Sequence, residues 1–491
     1  MPWALYVLIL AWTQPAPLDT DGFNYLRMFH ALTHRHPFPL QATVPKPLLV
    51  FLFGGVFQVF SFPGLYLLEI LAVGGLMLGC AYSFRRKTWG PPFALSLGLA
   101  LVALPYFFTK LWLNNSTLYA LLFLVWGLAL LMEKRYALAA FFLLLGGLVR
   151  PEVWGAAGWI GWMETLRQKR SPQLLWLLLP LTAPLLWMGF DAWLTRDPLY
   201  SKHAVAVYMK QLGIQPLAVA DGHRALRIIL QWVDFLQEFV VWTTASGLLL
   251  FFWHWVHDRE IRRYVTLWLD VMVGTGLYLV MVLLWSGFWL ERLWFGWIVA
   301  LVVFSTAFLW ALGRRSRRFQ VWWLPMGMVL LLIFQTFWQP RDLPGALQTL
   351  RREGRLFRTA QHLPTPLGNL GEWRHMLVPG RRLGLVLAVV GFELEPKLIG
   401  LRGFLRLPEE VRDTLHPEYL LHFPGDYLQG AEVLRQLDRP RASHRLRLSS
   451  SKEMLAVLRW VSPDTLCLLY RLEPVTPGDT VPVPGGPAQR P

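Results

Sequence analysis

The chain contains near-continuous apolar runs at 65–84, 174–194, 265–288 and 293–312, each 20 residues or longer. About 20 apolar residues are what a helix needs to cross the roughly 30 Å hydrocarbon core of a bilayer. Shorter apolar blocks lie between them, and charged residues make up only 16% of the chain, against about 25% for ordinary soluble domains. In lipid every backbone amide must be satisfied within the segment, so such blocks fold as helices. The sequence therefore predicts an all-α polytopic membrane protein. Its 26 tryptophans fall mostly near block ends, where an interfacial aromatic belt places them.

Taken in order, the blocks predict about eleven transmembrane helices within residues 1–338. The run 48–60 is not counted, because it is about two-thirds of a span and lies between Pro47 and Pro63. It is expected to lie along the membrane surface. With this count the basic clusters at 85–87, 134–135, 167–170, 259–263 and 314–318 share one face. The positive-inside rule makes that face cytoplasmic. The same clusters account for most of the net charge of +16, so no nucleic-acid partner is expected. The first block is expected to be an uncleaved helix, since no basic region or small-residue cleavage site precedes it. Two cysteines, Cys80 and Cys467, exclude a disulfide framework.

Beyond 338, charge and proline become frequent and no block can span. Residues 339–475 are expected to form a small extracytoplasmic α+β domain. Its elements would be an amphipathic helix at 343–362, strands at 383–390 and 465–471, and a helix at 452–460. The Pro/Gly-rich end, 476–491, reads as a disordered tail.

The stretch Asp19-Thr20-Asp21-Gly22-Phe23-Asn24-Tyr25 follows the first apolar block. Carboxylates beside hydrocarbon are costly, which makes them functional candidates. Asp21 and Asp19 are the candidate catalytic residues, as a general base or metal ligand, in a loop on the outer face. The alternative is that one of them caps a short helix. Lys46, Arg150 and Arg292 are candidate binders of a leaving phosphate, with helix-end snorkelling as the alternative. Tyr200 and His203, in a long outer loop, are candidate sugar contacts, with a plain position at the membrane interface as the alternative. A metal site from His30, His34 and His36 matches no familiar ligand geometry. Asn114-Asn115-Ser116-Thr117 reads as a polar turn.

These residues together resemble the GT-C superfamily of membrane glycosyltransferases, which use polyprenyl-phosphate-linked sugars. The segment from Asp21 to Tyr25 is similar to the acidic first-loop segment of bacterial oligosaccharyltransferases. Asp19 to Arg27 resembles the loop of the family-39 and aminoarabinose transferase-like enzymes. Lys46-Pro47-Leu48 resembles that group's Lys-Pro-Pro motif with the second proline lost. Arg150-Pro151-Glu152 resembles the motif after the fifth helix of many bacterial members, which adds Glu152 to the substrate-binding candidates. A WWD-type motif is not found, so protein N-glycosylation is not expected.

The resemblance implies a GT-C-like membrane domain and an inverting hexosyl or pentosyl transfer. The donor would be a polyprenyl-phosphate sugar. The acceptor would be a glycan, lipid or protein on the outer face of the cytoplasmic membrane. No cofactor is assigned, and a divalent metal ion is left open. A transporter or flippase of lipid-linked saccharide is the alternative, and a non-catalytic scaffold a third.

Overall fold

The computed structural model describes residues 2–34, 44–85, 90–103, 114–168, 172–211, 233, 237–251, 258–286, 295–312, 317–338, 342–361, 363–364, 376–378, 383–400, 419–422, 446–448 and 468–474. The chain divides into two compact units, Met1–Gly354 and Arg355–Pro491.

The described residues of the first unit are helical. In order they form α1 (Pro2–Thr13), α2 (Thr20–Thr33), α3 (Pro47–Tyr82), α4 (Gly90–Ala103), α5 (Ser116–Met132), α6 (Tyr136–Val149) and α7 (Glu152–Gln168). A 3₁₀ stretch (Pro172–Thr182) then runs into α8 (Ala183–Thr195). It is followed by α9 (Tyr200–Gln211), α10 (Val240–Phe251), α11 (Arg259–Ser286), α12 (Phe295–Leu312) and α13 (Arg317–Trp338). The helix α14 (Asp342–Gln361) was expected from its amphipathic pattern.

Among the described residues, four stretches are long and apolar enough to cross a membrane: Pro47–Tyr82, Leu175–Thr195, Arg259–Val282 and Phe295–Leu312. Shorter apolar helices accompany them. Leu67, Leu71, Leu78, Leu185 and Phe337 are exposed on these elements. In water such a surface would be a liability, whereas lipid accepts it at no cost, so this is an integral membrane protein.

As one straight rod, α3 would be about 54 Å long, far more than a bilayer core needs. It is broken instead at Ser61, whose φ of 52° and ψ of −150° are non-helical, two residues before Pro63. Proline lacks the amide that would continue the ladder, and its ring clashes with the preceding turn. The runs 48–60 and 65–84 thus remain separate segments, joined by a kink rather than by a loop.

The helix α5 separates two polar ends, about 26 Å apart by its length. At its C-terminal end, Arg263 of α11 donates to the carbonyls of Leu131 and Met132 at 2.8 and 3.4 Å. Arg85 pairs with Glu133 at 2.6 Å. Arg167 holds Asp270 with two bonds of 2.6 and 3.0 Å. Four of the basic clusters therefore meet at one end of the bundle, as the charge pattern requires. The fifth, at 314–318, has no described side chains. The approach of α7 to α11 is tight: a β-carbon on Gly155 would lie 2.3 Å from the Gly274 carbonyl oxygen. Only glycine at both positions lets the two backbones close, the small-residue device of membrane helix pairs.

Among the described residues of the second unit, five short strands form a mixed sheet in the order β2-β1-β3-β5-β4. They are β1 (Met376–Val378), β2 (Leu398–Gly400), β3 (Tyr419–His422), β4 (Leu446–Leu448) and β5 (Leu468–Pro474). β1 is parallel to β2 and β3, while β5 is antiparallel to β3 and β4. The strand expected at 465–471 overlaps β5. The strand expected at 383–390 is instead the helix α15 (Leu383–Val390). That segment connects the parallel strands β1 and β2, and parallel strands need a crossover, usually helical. An eight-residue apolar run carries no period that distinguishes buried helix from buried strand. The helix expected at 452–460 lies outside the described residues, as does the tail.

Candidate active site

The acidic stretch is not the loop expected from the sequence. Asp19 is the N-cap of α2, and its Oδ1 accepts the Gly22 amide at 2.7 Å. Capping of this kind satisfies an orphan amide and is worth about 1 kcal/mol. The chain continues as fourteen residues of helix, with Gly22 to Met28 all buried. A helix buried around its circumference is part of the protein interior. The prolines that suggested a loop begin only at Pro37, past its end. Tyr25 meets Phe53 of α3, and Phe53 meets Tyr119 of α5, with ring centroids 6.2 and 5.4 Å apart.

Asp19 is held on its other oxygen as well. Asn115 Nδ2 donates to Oδ2 at 2.7 Å. The Asn115 side-chain oxygen accepts the Thr117 amide and so caps α5. The Thr117 hydroxyl accepts from Arg150 Nη1 at 2.6 Å. Two residues, Asn115 and Thr117, therefore lead from Asp19 to Arg150. Beside Asn115, the buried Asn114 donates to the carbonyls of Pro17 at 2.8 Å and Leu65 at 2.9 Å, and Tyr119 donates to its oxygen. The Asn114–Thr117 segment, read from sequence as a polar turn, is the hub that ties α2, α3 and α5 together. Asn114→Ala is expected to lower stability by about 1–3 kcal/mol, because two buried carbonyls lose their donor. Thermal unfolding of the purified protein measures it.

Arg150 and Glu152 are 4% and 1% exposed. They form a two-bond ion pair, Nη2 to Oε1 at 2.7 Å and Nε to Oε2 at 3.3 Å. The guanidinium lies 4.9 Å from the Phe295 ring centroid. Burial pushes the Glu152 carboxyl up, but the charge and hydrogen bond of Arg150, with Lys46 adding, outweigh it and leave it below its ordinary value. Lys46, at the start of α3, therefore belongs to the same group. The fork of Arg150 was expected to face a phosphate; it is occupied by Glu152 and Thr117. Two cations and one carboxylate leave the group one positive charge.

Asp21 lies in the first turn of α2 and is partly exposed. No hydrogen bond or ion pair engages its carboxylate among the described residues. The two aspartates thus differ: Asp19 is spent on structure, and Asp21 is free to react.

Tyr200 and His203 sit in a helix, not the open loop that was expected. Tyr200 is 1% exposed in the first turn of α9. Asp191 fixes that turn, accepting the Ser201 amide and hydroxyl at 2.9 and 3.0 Å. Burial takes Tyr200 away from an aqueous sugar. His203 is half exposed and pairs with Asp197. The Leu199 amide first, and then His203, hold the Asp197 carboxyl below its ordinary value. His30 and His34 stack in the last turn of α2 with centroids 3.9 Å apart, while His36 and Arg292 lie outside the described residues.

No family model matches the chain, and no curated protein matches it. Among solved structures, the archaeal oligosaccharyltransferase AglB from Archaeoglobus fulgidus, in complex with an inhibitory peptide and a dolichol-phosphate, is similar with a TM-score of 0.45. The identity is 12%, over 84% of this chain and 66% of that one. A likeness of this degree leaves fold and activity to be argued from the residues.

Proposed function

We propose that the chain is a membrane glycosyltransferase of GT-C type, moving a sugar from a polyprenyl-phosphate donor to an acceptor hydroxyl on the outer face of the cytoplasmic membrane. The observation that carries this reading is Asp21. It is an uncommitted carboxylate, two residues from a fixed Asp19, at the end of the bundle away from the basic clusters. Asp21 takes the proton of the acceptor hydroxyl as its oxygen bonds to the anomeric carbon. The bond from that carbon to the phosphate oxygen breaks, its electron pair staying with the departing lipid phosphate. The displacement inverts the anomeric centre. The net positive charge of Lys46, Arg150 and Glu152 stabilises the leaving phosphate.

The described residues do not by themselves build a metal site. Both oxygens of Asp19 already accept hydrogen bonds, and no cluster of three His, Cys, Asp or Glu occurs among them.

One observation favours transport as a second reading. Glu69 is fully buried in α3 and accepts from the Tyr6 hydroxyl. Buried ionisable groups in membrane spans mark substrate paths as well as catalytic sites. Glu69 is, however, one turn from Leu65, whose carbonyl Asn114 holds, so it adjoins the polar end already described.

The donor class is tested with purified protein and labelled sugar presented either on polyprenyl phosphate or as a nucleotide sugar. Transfer is expected only from the lipid. Transfer from the nucleotide sugar alone would overturn the proposal.

A further inference from the structure

At the opposite end of the bundle an open cleft of about 500 Å³ is lined by Lys134, Glu164, Arg167, Arg263 and Thr266. The mechanism above uses none of them. Their charges are unequally spent. Arg167 is tied to Asp270 by two bonds and to Glu164 at 3.3 Å. Arg263 is anchored on the last carbonyls of α5 and lies 3.8 Å from Glu164, leaving its pairing long. Lys134, in the turn between α5 and α6, is exposed, and no side-chain partner engages it among the described residues. Arg167 and Arg263 are set against Asp270 and Glu164, so Lys134 is the surplus cation, and its charge makes the cleft a site for an anion.

The surroundings say which anion. Along α7, Trp162 and Leu166 are 62% and 56% exposed, and along α11 Leu269 is 40% exposed. Leu166 adjoins Arg167, and Leu269 lies one turn from Thr266. The cationic cleft therefore borders surface that only lipid tails cover. A soluble phosphate would use the cations and leave that surface untouched. An amphipathic anion would use both.

We propose that this cleft binds the phosphate headgroup of an anionic phospholipid from the cytoplasmic leaflet, held by Lys134 and Arg263 with its chains along α7 and α11. The site is separate from the proposed catalytic end, so it stands or falls independently of the glycosyltransferase reading.

The test reads thermal stability and bound lipid of the full chain in nanodiscs of phosphatidylcholine with and without phosphatidylglycerol. Lys134→Gln is compared with Arg135→Gln, which removes the same charge from a residue that pairs with Glu133 outside the cleft. The wild type and Arg135→Gln are expected to retain phosphatidylglycerol and gain stability from it. Lys134→Gln is expected to bind it about fivefold more weakly, the usual weight of one basic residue near an anionic surface. Equal weakening in both variants would mean general surface adsorption and overturn the site. So would an equal gain from phosphatidylcholine. Stabilisation by inorganic phosphate alone, with nothing added by the lipid, would assign the cleft to a soluble anion and overturn the lipid.

Discussion

Arg150→Ala is expected to destabilise the protein by about 3–5 kcal/mol, the cost of leaving a buried carboxylate without its partner. Glu152 is 1% exposed, and both its oxygens rest on the Arg150 fork. The arginine also gives up a contact to the Thr117 hydroxyl and its place over Phe295. A double variant, Arg150→Ala with Glu152→Gln, is expected to recover much of the loss, because the remaining side chain then carries no charge. Denaturation of the three proteins in one detergent separates the cases. A single variant as stable as the wild type would show that the pair does not hold this end of the bundle together. A loss of activity in Arg150→Ala means little until that stability is known.

Asp21→Asn is expected to leave the fold intact and to reduce transfer about 10²–10⁴-fold, the usual contribution of a positioned general base. Asparagine keeps the size of aspartate and loses its basicity. No described contact depends on the Asp21 carboxylate, so stability should not change. Asp19→Asn is expected to act differently. The amide keeps an oxygen for the Gly22 amide but presents its nitrogen to the Asn115 donor, so about 1 kcal/mol of local stability is lost and most activity survives. Rates and unfolding temperatures of the two variants, measured side by side, distinguish the roles. Inactivity of Asp19→Asn with full activity of Asp21→Asn would exchange them.

How much of this was legible in the sequence depends on the distance over which each residue acts. The Asp19 cap is local, and an aspartate before a helical stretch announces it. The helix that follows was hidden by the prolines after it. The close spacing of Arg150 and Glu152 is plain in the sequence, but the extended backbone at Arg150, φ −144° and ψ 127°, turns the two side chains onto one another rather than toward a ligand. Asn114 and Asn115 look like turn residues because their partners are remote: Pro17 and Leu65 for one, Asp19 for the other. No local pattern encodes such contacts. The charge pattern, by contrast, was readable at long range. Arg85, Arg167 and Arg263 meet at one end because every second crossing returns the chain to the face where arginine stays solvated.

The most direct test of the account is whether the sugar leaves its lipid. Proteoliposomes carrying the purified protein are loaded with a polyprenyl-phosphate sugar and given a hydroxyl acceptor, and the lipid and acceptor are then weighed by mass spectrometry. Free polyprenyl phosphate is expected in step with glycosylated acceptor, both falling sharply in Asp21→Asn. An intact lipid-linked sugar that has only changed leaflet, equally in both proteins, would contradict it.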